Sequence, residues 1–112
     1  MEIAFTFRQV ESSEGVKNYA REKLAKLQKF VRTPLTADVT LSIERHLSVV
    51  EVSVRGDGHR YAGSQQNEDM YAAIDLVIDK LDRQIRDEKD AQADRLKRHS
   101  GGVAQMSGKV SK

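Results

Sequence analysis

"EDMYAAIDLVIDKLDRQIRDEKD", residues 68–90, starts acidic, turns apolar and ends densely charged. Met70, Ile74, Val77, Ile78, Leu81 and Ile85 recur at helical spacing, which predicts an amphipathic helix with one buried stripe. Asn67 is placed to cap it, with Glu68 and Asp69 at the positive end of its dipole. After Ile85 the apolar pattern stops, with only Leu96 left before the helix end. The helix is therefore expected to project past the surface it packs on, to about residue 97. From Lys80 onward it carries more charge than packing requires.

Working toward the N-terminus, the segments that could cover this stripe read as strands. "EIAFTFR" alternates, with Ile3, Phe5 and Phe7 on one face. "ADVTLSIER" repeats the pattern through Val39, Leu41 and Ile43, and "VVEVSVRG" through Val50, Val52 and Val54. "RHLS" reads as the turn between those two. "GDG", residues 56–58, reads as the next turn, and "RYAGSQQ" as a weaker fourth strand. Between the first two strands, Ser13 caps a helix with Val16, Tyr19, Ala20, Leu24, Leu27 and Phe30 at helical spacing. Pro34 closes that segment. The order is β-α-β-β-β-α in a single α+β domain. A lone helix between the first two strands implies a right-handed crossover and a parallel pair, and the later strands form an antiparallel meander. One apolar face on the four-stranded mixed sheet places both helices on that face. The opposite face, with Thr6, Arg8, Thr40, Ser42, Glu44, Glu51 and Ser53, is expected to be wet. The domain is assigned to residues 1–98. Residues 99–112 are Gly- and Ser-rich and basic and are expected to form a disordered tail.

Composition narrows the chemistry. The chain has 112 residues and no Cys, which excludes disulfides, Cys-ligated zinc and thiol catalysis. No signal-like run and no apolar stretch near the roughly 20 residues of a membrane span is present, so a cytoplasmic protein without membrane contact is expected. His46, His59 and His99 lack ligand spacing, and no metal or cofactor is expected. "GDG" precedes no helix, so it is a turn rather than a phosphate loop. Asp75, Asp79 and Asp82 read as a solvated face, not an acid–base pair. No catalytic constellation assembles.

Binding chemistry remains. Net charge is only +2, but it is unevenly distributed. Residues 17–32 hold six basic side chains and one acidic; residues 67–79 hold four acidic and none basic; residues 95–112 hold five basic and none acidic. On the first helix Lys17, Arg21, Lys29 and Arg32 clear the apolar stripe, while Lys23 and Lys26 flank it with long stems that lie along the core edge. On the last helix Lys80 and Arg83 stand one turn apart beside the stripe, which places them toward the first helix. Two basic edges of this kind suit a polyanion, and the scarcity of surface aromatics points to recognition of backbone and shape, as on structured RNA.

"DMYAAID" followed by "IDKLDRQ" resembles the signature helix of the ribosome hibernation promoting factors, also called ribosome-associated inhibitors or ribosomal subunit interface proteins. The element order, the first helix "VESSEGVKNYAREKLAKLQKF" and the length agree with a short-form member, over about residues 1 to 98. The resemblance implies a fold similar to a double-stranded-RNA-binding domain with an added first strand. It implies binding to rRNA and ribosomal proteins of the small subunit, in the channel that mRNA and tRNA use near the decoding centre. It further implies inhibited translation under stress or in stationary phase, and no catalysis. The family's RNA contacts map to Lys17, Lys23, Lys26, Lys80, Arg83, Arg86 and Lys89. Asp82, Asp87 and Glu88 depart from the family pattern, and residues 80–94 hold four basic and five acidic side chains. That balance shifts expected binding toward the first helix, including Arg21, and toward Arg95, Lys97 and Arg98. A monomer off the ribosome is expected, with a second small hibernation protein as a further partner. The competing reading is a protein-interaction module, such as a transcription-factor modulator, that docks through its projecting C-terminal helix.

Overall fold

The computed structural model describes residues 1–101, with side chains through Ala93. Alternation makes β1 (Glu2–Arg8), β2 (Thr36–Glu44), β3 (Leu47–Gly56) and β4 (His59–Asn67). Between β1 and β2 run α1 (Glu14–Ala25) and a 3-10 turn (Lys26–Phe30), and α2 (Met70–Gly101) closes the chain. The sheet order is β1-β2-β3-β4. β1 lies parallel to β2 with Phe5 opposite Val39, and β2–β3 and β3–β4 are antiparallel, with Val39 opposite Val52 and Val54 opposite Tyr61. The expected α+β fold is the observed one.

The inward residues of β2 and β3 meet the helices in one core. Leu24, Leu27, Leu41, Val50, Val54, Ile74, Leu81 and Ile85 are all but inaccessible. Ile43 and Met70, expected within it, are only half-buried, because they lie at its rim. Ala73, absent from the expected stripe, is fully buried in the core. Ser13 caps α1 as expected, its hydroxyl accepting the Val16 N–H at 3.2 Å.

Three local expectations are corrected. Leu47 and Ser48 belong to β3, so the first hairpin turns on Arg45 and His46 alone, with Arg45 at φ 60°. Asn67 ends β4 and bonds the Asp69 N–H; Asp69 itself caps α2, accepting the Tyr71 N–H at 3.0 Å. The helix also stays docked beyond Ile85. Gln92 reaches His59 at 3.0 Å and Lys89 reaches Asp57 at 2.6 Å, polar contacts that apolar periodicity does not register. α2 runs to Gly101, three residues into the segment assigned to the tail; residues 102–112 of that tail lie outside the described residues.

The β3–β4 turn shows why glycine flanks its acid. Asp57 and Gly58 both have positive φ, 55° and 77°, which suits a two-residue hairpin of the Asp-Gly kind. A Cβ on Gly56 would lie 2.9 Å from Leu35 Cδ2, so any larger residue there would have to displace the buried Leu35 side chain.

Candidate nucleic-acid interface

The cations expected to bind RNA fall into four groups. Over β1, Lys17 and Arg21 lean on half-exposed phenylalanines: the Arg21 guanidinium is 5.3 Å from the Phe5 ring centroid and the Lys17 ammonium 5.9 Å from that of Phe7. Lys17 also lies 3.5 Å from Glu14, and Arg21 donates to Asn18 at 2.8 Å. Such cation–ring contacts hold long side chains upright at little cost to their charge.

Lys23 faces the other way, into the α1–α2 seam. Its ammonium is 3.5 Å from Asp75 Oδ1, which also accepts the Tyr19 hydroxyl at 2.7 Å. The neighbouring Tyr19 hydroxyl and the Asp75 carboxylate raise the Lys23 pKa above the ordinary lysine value. The hydrogen bond to Asp75 raises that of Tyr19. The Tyr19 ring meets Tyr71 edge-on at 5.0 Å. Asp75, expected on a solvated face, is 44% exposed but also holds the seam between the helices through Tyr19 and Lys23.

The third group surrounds the 3-10 turn. Lys26 and Lys29 are exposed, and Arg32 follows on the strand-like segment after it. From α2, Arg83, Arg86 and Lys89 border the same region, in two adjoining depressions that share Phe30. Two of these cations are engaged: Arg86 donates to Asp82 at 2.7 Å, and Lys89 to Asp57 at 2.6 Å. Asp57 also accepts the Arg32 and Thr33 N–H groups at 3.0 Å each. Lys89 above all, with the Thr33 and Arg32 N–H groups, holds the Asp57 carboxyl well below the usual carboxylate range. Lys89 is thus a strut between α2 and the β3–β4 hairpin as well as a surface cation.

Lys80 forms the fourth group by itself. Gln84, one turn later, donates to the Ala62 carbonyl at 2.9 Å, so this side of α2 faces β4. Tyr71 and Asp75 mark the side that faces α1. Arg83, expected to turn toward the first helix, lines the groove beside Phe30 at the 3-10 end of that helix, whereas Lys80, expected there with it, lies one turn before Gln84 on the side of α2 that faces β4. Arg95, Lys97 and Arg98 fall in the last turns of α2, and their side chains lie outside the described residues.

Among the described residues, Arg21, Lys26, Lys29, Arg32, Lys80 and Arg83 have no carboxylate within ion-pair distance. Four of the six lie between residues 21 and 32. No group of three or more His, Asp or Glu is arranged to hold a metal, and no helix is long and apolar enough to cross a membrane, among those residues. Sequence reasoning missed Phe30 as a surface aromatic, assigning it wholly to the core, and missed Asp57 as a hub. Only the turn chemistry of "GDG" hinted at the latter's position.

Comparison with known proteins agrees with this architecture. The family described as "Sigma 54 modulation protein / S30EA ribosomal protein" matches residues 3–93. The ribosome hibernation promoting factor of Escherichia coli K12 is 32% identical over 99 residues, covering 88% of this chain and all of that one. That of Azotobacter vinelandii is 30% identical over 95 residues, 85% of this chain and 89% of the other. The N-terminal domain of Protein Y from Thermus thermophilus superposes with a TM-score of 0.73 at 30% identity, covering 76% of this chain and 96% of that domain. A ribosomal subunit interface protein from Coxiella burnetii shares the fold, with a TM-score of 0.70 at 21% identity over 80% of this chain and 99% of the other. With its signature helix, its strand order and a match running through nearly all of the described domain, the chain belongs to the Sigma 54 modulation protein / S30EA ribosomal protein family, that of the ribosome hibernation promoting factors.

Proposed function

We propose that the protein is a cytoplasmic ribosome hibernation factor. It binds the small ribosomal subunit in the channel used by mRNA and tRNA, near the decoding centre, and inhibits translation under stress or in stationary phase. The observation that carries this reading is the ridge formed by α1 and the 3-10 turn. Across residues 17–32 six cations accompany one carboxylate, and Arg21, Lys26, Lys29 and Arg32 stay clear of ion pairs among the described residues. A ridge with four cations free of ion pairs among the described residues suits the phosphates of folded RNA, which are read by backbone and shape. Names of relatives about 30% identical over most of the chain support the same assignment.

Lys26, Lys80 and Arg83 are contacts in this reading, together with Lys17 and Arg21 over β1. Lys23, Arg86 and Lys89 contribute charge from within local ion pairs. Arg95, Lys97 and Arg98, in the last turns of α2, add to the positive charge offered to RNA in this reading.

Co-sedimentation with purified small subunits across a salt series tests this. Log affinity should fall steeply with log salt, by about 0.7–0.9 per phosphate contact. Affinity independent of salt would favour docking to a protein partner through the end of α2 instead.

A further inference from the structure

Resting on that reading, we propose that the groove floored by Phe30 takes one unpaired nucleotide of ribosomal RNA, with its base against the phenyl ring and its flanking phosphates on Arg32 and Arg83.

Phe30 ends the 3-10 turn. One side of it packs on the core, and the other stays open between the turn and α2. It lines one depression with Arg32 and the next with Arg83, so a planar ligand on its ring has a guanidinium at either hand. The Lys29 ammonium lies over the Phe30 ring, 5.2 Å from its centroid, and so occupies the face that a base would take. Lys29 is exposed and long, so a base can displace it, and its ammonium then meets the same phosphates.

The acids of the groove decide what kind of anion fits. Asp87 and Asp90 line the wall beside Arg83. They weaken attraction for a bare polyphosphate, but they accept hydrogen bonds from the N–H groups on a base edge. Apolar floor, cations and carboxylates together match the three parts of a nucleotide. Four of the five acids in residues 80–94 then have an account. Asp82 is paired with Arg86, Glu88 lies against His59 and Gln92, and Asp87 and Asp90 remain at the groove. A base within an A-form helix is stacked on both faces, so the site selects an unpaired one.

Binding of wild type, Phe30→Leu and Phe30→Tyr to small subunits at several salt concentrations tests the groove. Phe30→Leu keeps the apolar filling and removes the ring. It should weaken binding roughly five- to a hundredfold with an unchanged salt slope, because stacking carries no charge. Phe30→Tyr should bind like wild type. A Phe30→Leu protein of unchanged melting temperature that binds like wild type overturns the proposal while leaving ribosome binding intact. Failure of wild type itself to bind removes the parent reading instead. A second measurement does not depend on the stability of the leucine variant. The chain has no Trp, so Phe30→Trp supplies a single fluorophore at the site. A single-stranded RNA hexamer should quench it and a blunt RNA duplex should not. Equal effects of the two, or none from the hexamer, also overturn the proposal.

Discussion

The Lys89 ammonium sits 2.6 Å from a carboxylate oxygen of Asp57, thirty-two residues earlier in the chain. Three segments meet at that acid: α2 through Lys89, the β3–β4 hairpin through Asp57 itself, and the 3-10 exit through the Arg32 and Thr33 N–H groups. Both side chains are mostly shielded, at 28% and 15% exposure, so the pair is less screened than an ordinary surface ion pair.

Acid should loosen this junction. The Asp57 pKa is held below its unfolded value of about 3.9, so its stabilisation is complete above that pH and is lost as pH falls through and below it. Melting temperature measured against pH should drop below about pH 4 in wild type, and the Asp57→Asn curve should be flatter over that range. Parallel curves would show that Lys89 and the two N–H groups do not bias the ionisation.

Charge reversal should separate strut from contact. Lys26→Glu changes an exposed cation with no ion pair among the described residues, so stability should stay within about 0.5 kcal/mol while affinity for small subunits falls. Lys89→Gln should instead lower the melting temperature, because it leaves Asp57 without its main partner. Thermal melts and co-sedimentation on the same preparations would reveal the reverse pattern if the roles are exchanged.

Packing of α2 should follow its stripe. Leu81 is fully inaccessible, and Leu81→Ala should cost about 2–5 kcal/mol. Asp79, exposed two residues earlier, should tolerate alanine within about 0.5 kcal/mol. Equal denaturant midpoints for the two variants would mean that the helix is rotated from the orientation described.

Tyr61 offers a gain. It is 6% exposed, and its hydroxyl has no hydrogen-bond partner among the described residues, while burial raises its pKa. Tyr61→Phe removes a buried polar group that lacks compensation and should raise stability by about 1 kcal/mol in urea unfolding. A loss of that size would reveal a hydrogen bond satisfied by solvent.

How much of this was legible in advance depends on the range of the interaction. Strict alternation marked β1 through β3, and the Ser13 cap acts over three residues, so both were readable locally. The Tyr19–Asp75 bond spans fifty-six positions and Lys89–Asp57 thirty-two, and nothing near either partner signals the other. Counting charges therefore found the cationic ridge but not which cations were already engaged. Apolar periodicity likewise stopped at Ile85, although the helix remains tied down as far as Gln92 by polar groups. Lys80 and Arg83 were placed by wheel position alone. The sheet edge that Gln84 holds decides the side on which Lys80 stands.

Because strand order in the sheet repeats chain order, two of the three pairings close through two-residue turns. Only β1–β2 must wait for residues 9–35 to be gathered in. Loop-closure entropy makes that pairing the late event in folding and, in reverse, the first to open. The segment so tethered includes the cationic ridge. The meander with α2 then forms the kinetically durable half, and the ridge is carried by the half that breathes. Native-state hydrogen exchange should find β1 amides less protected than those of β3, and the difference should shrink once the ridge is bound to RNA.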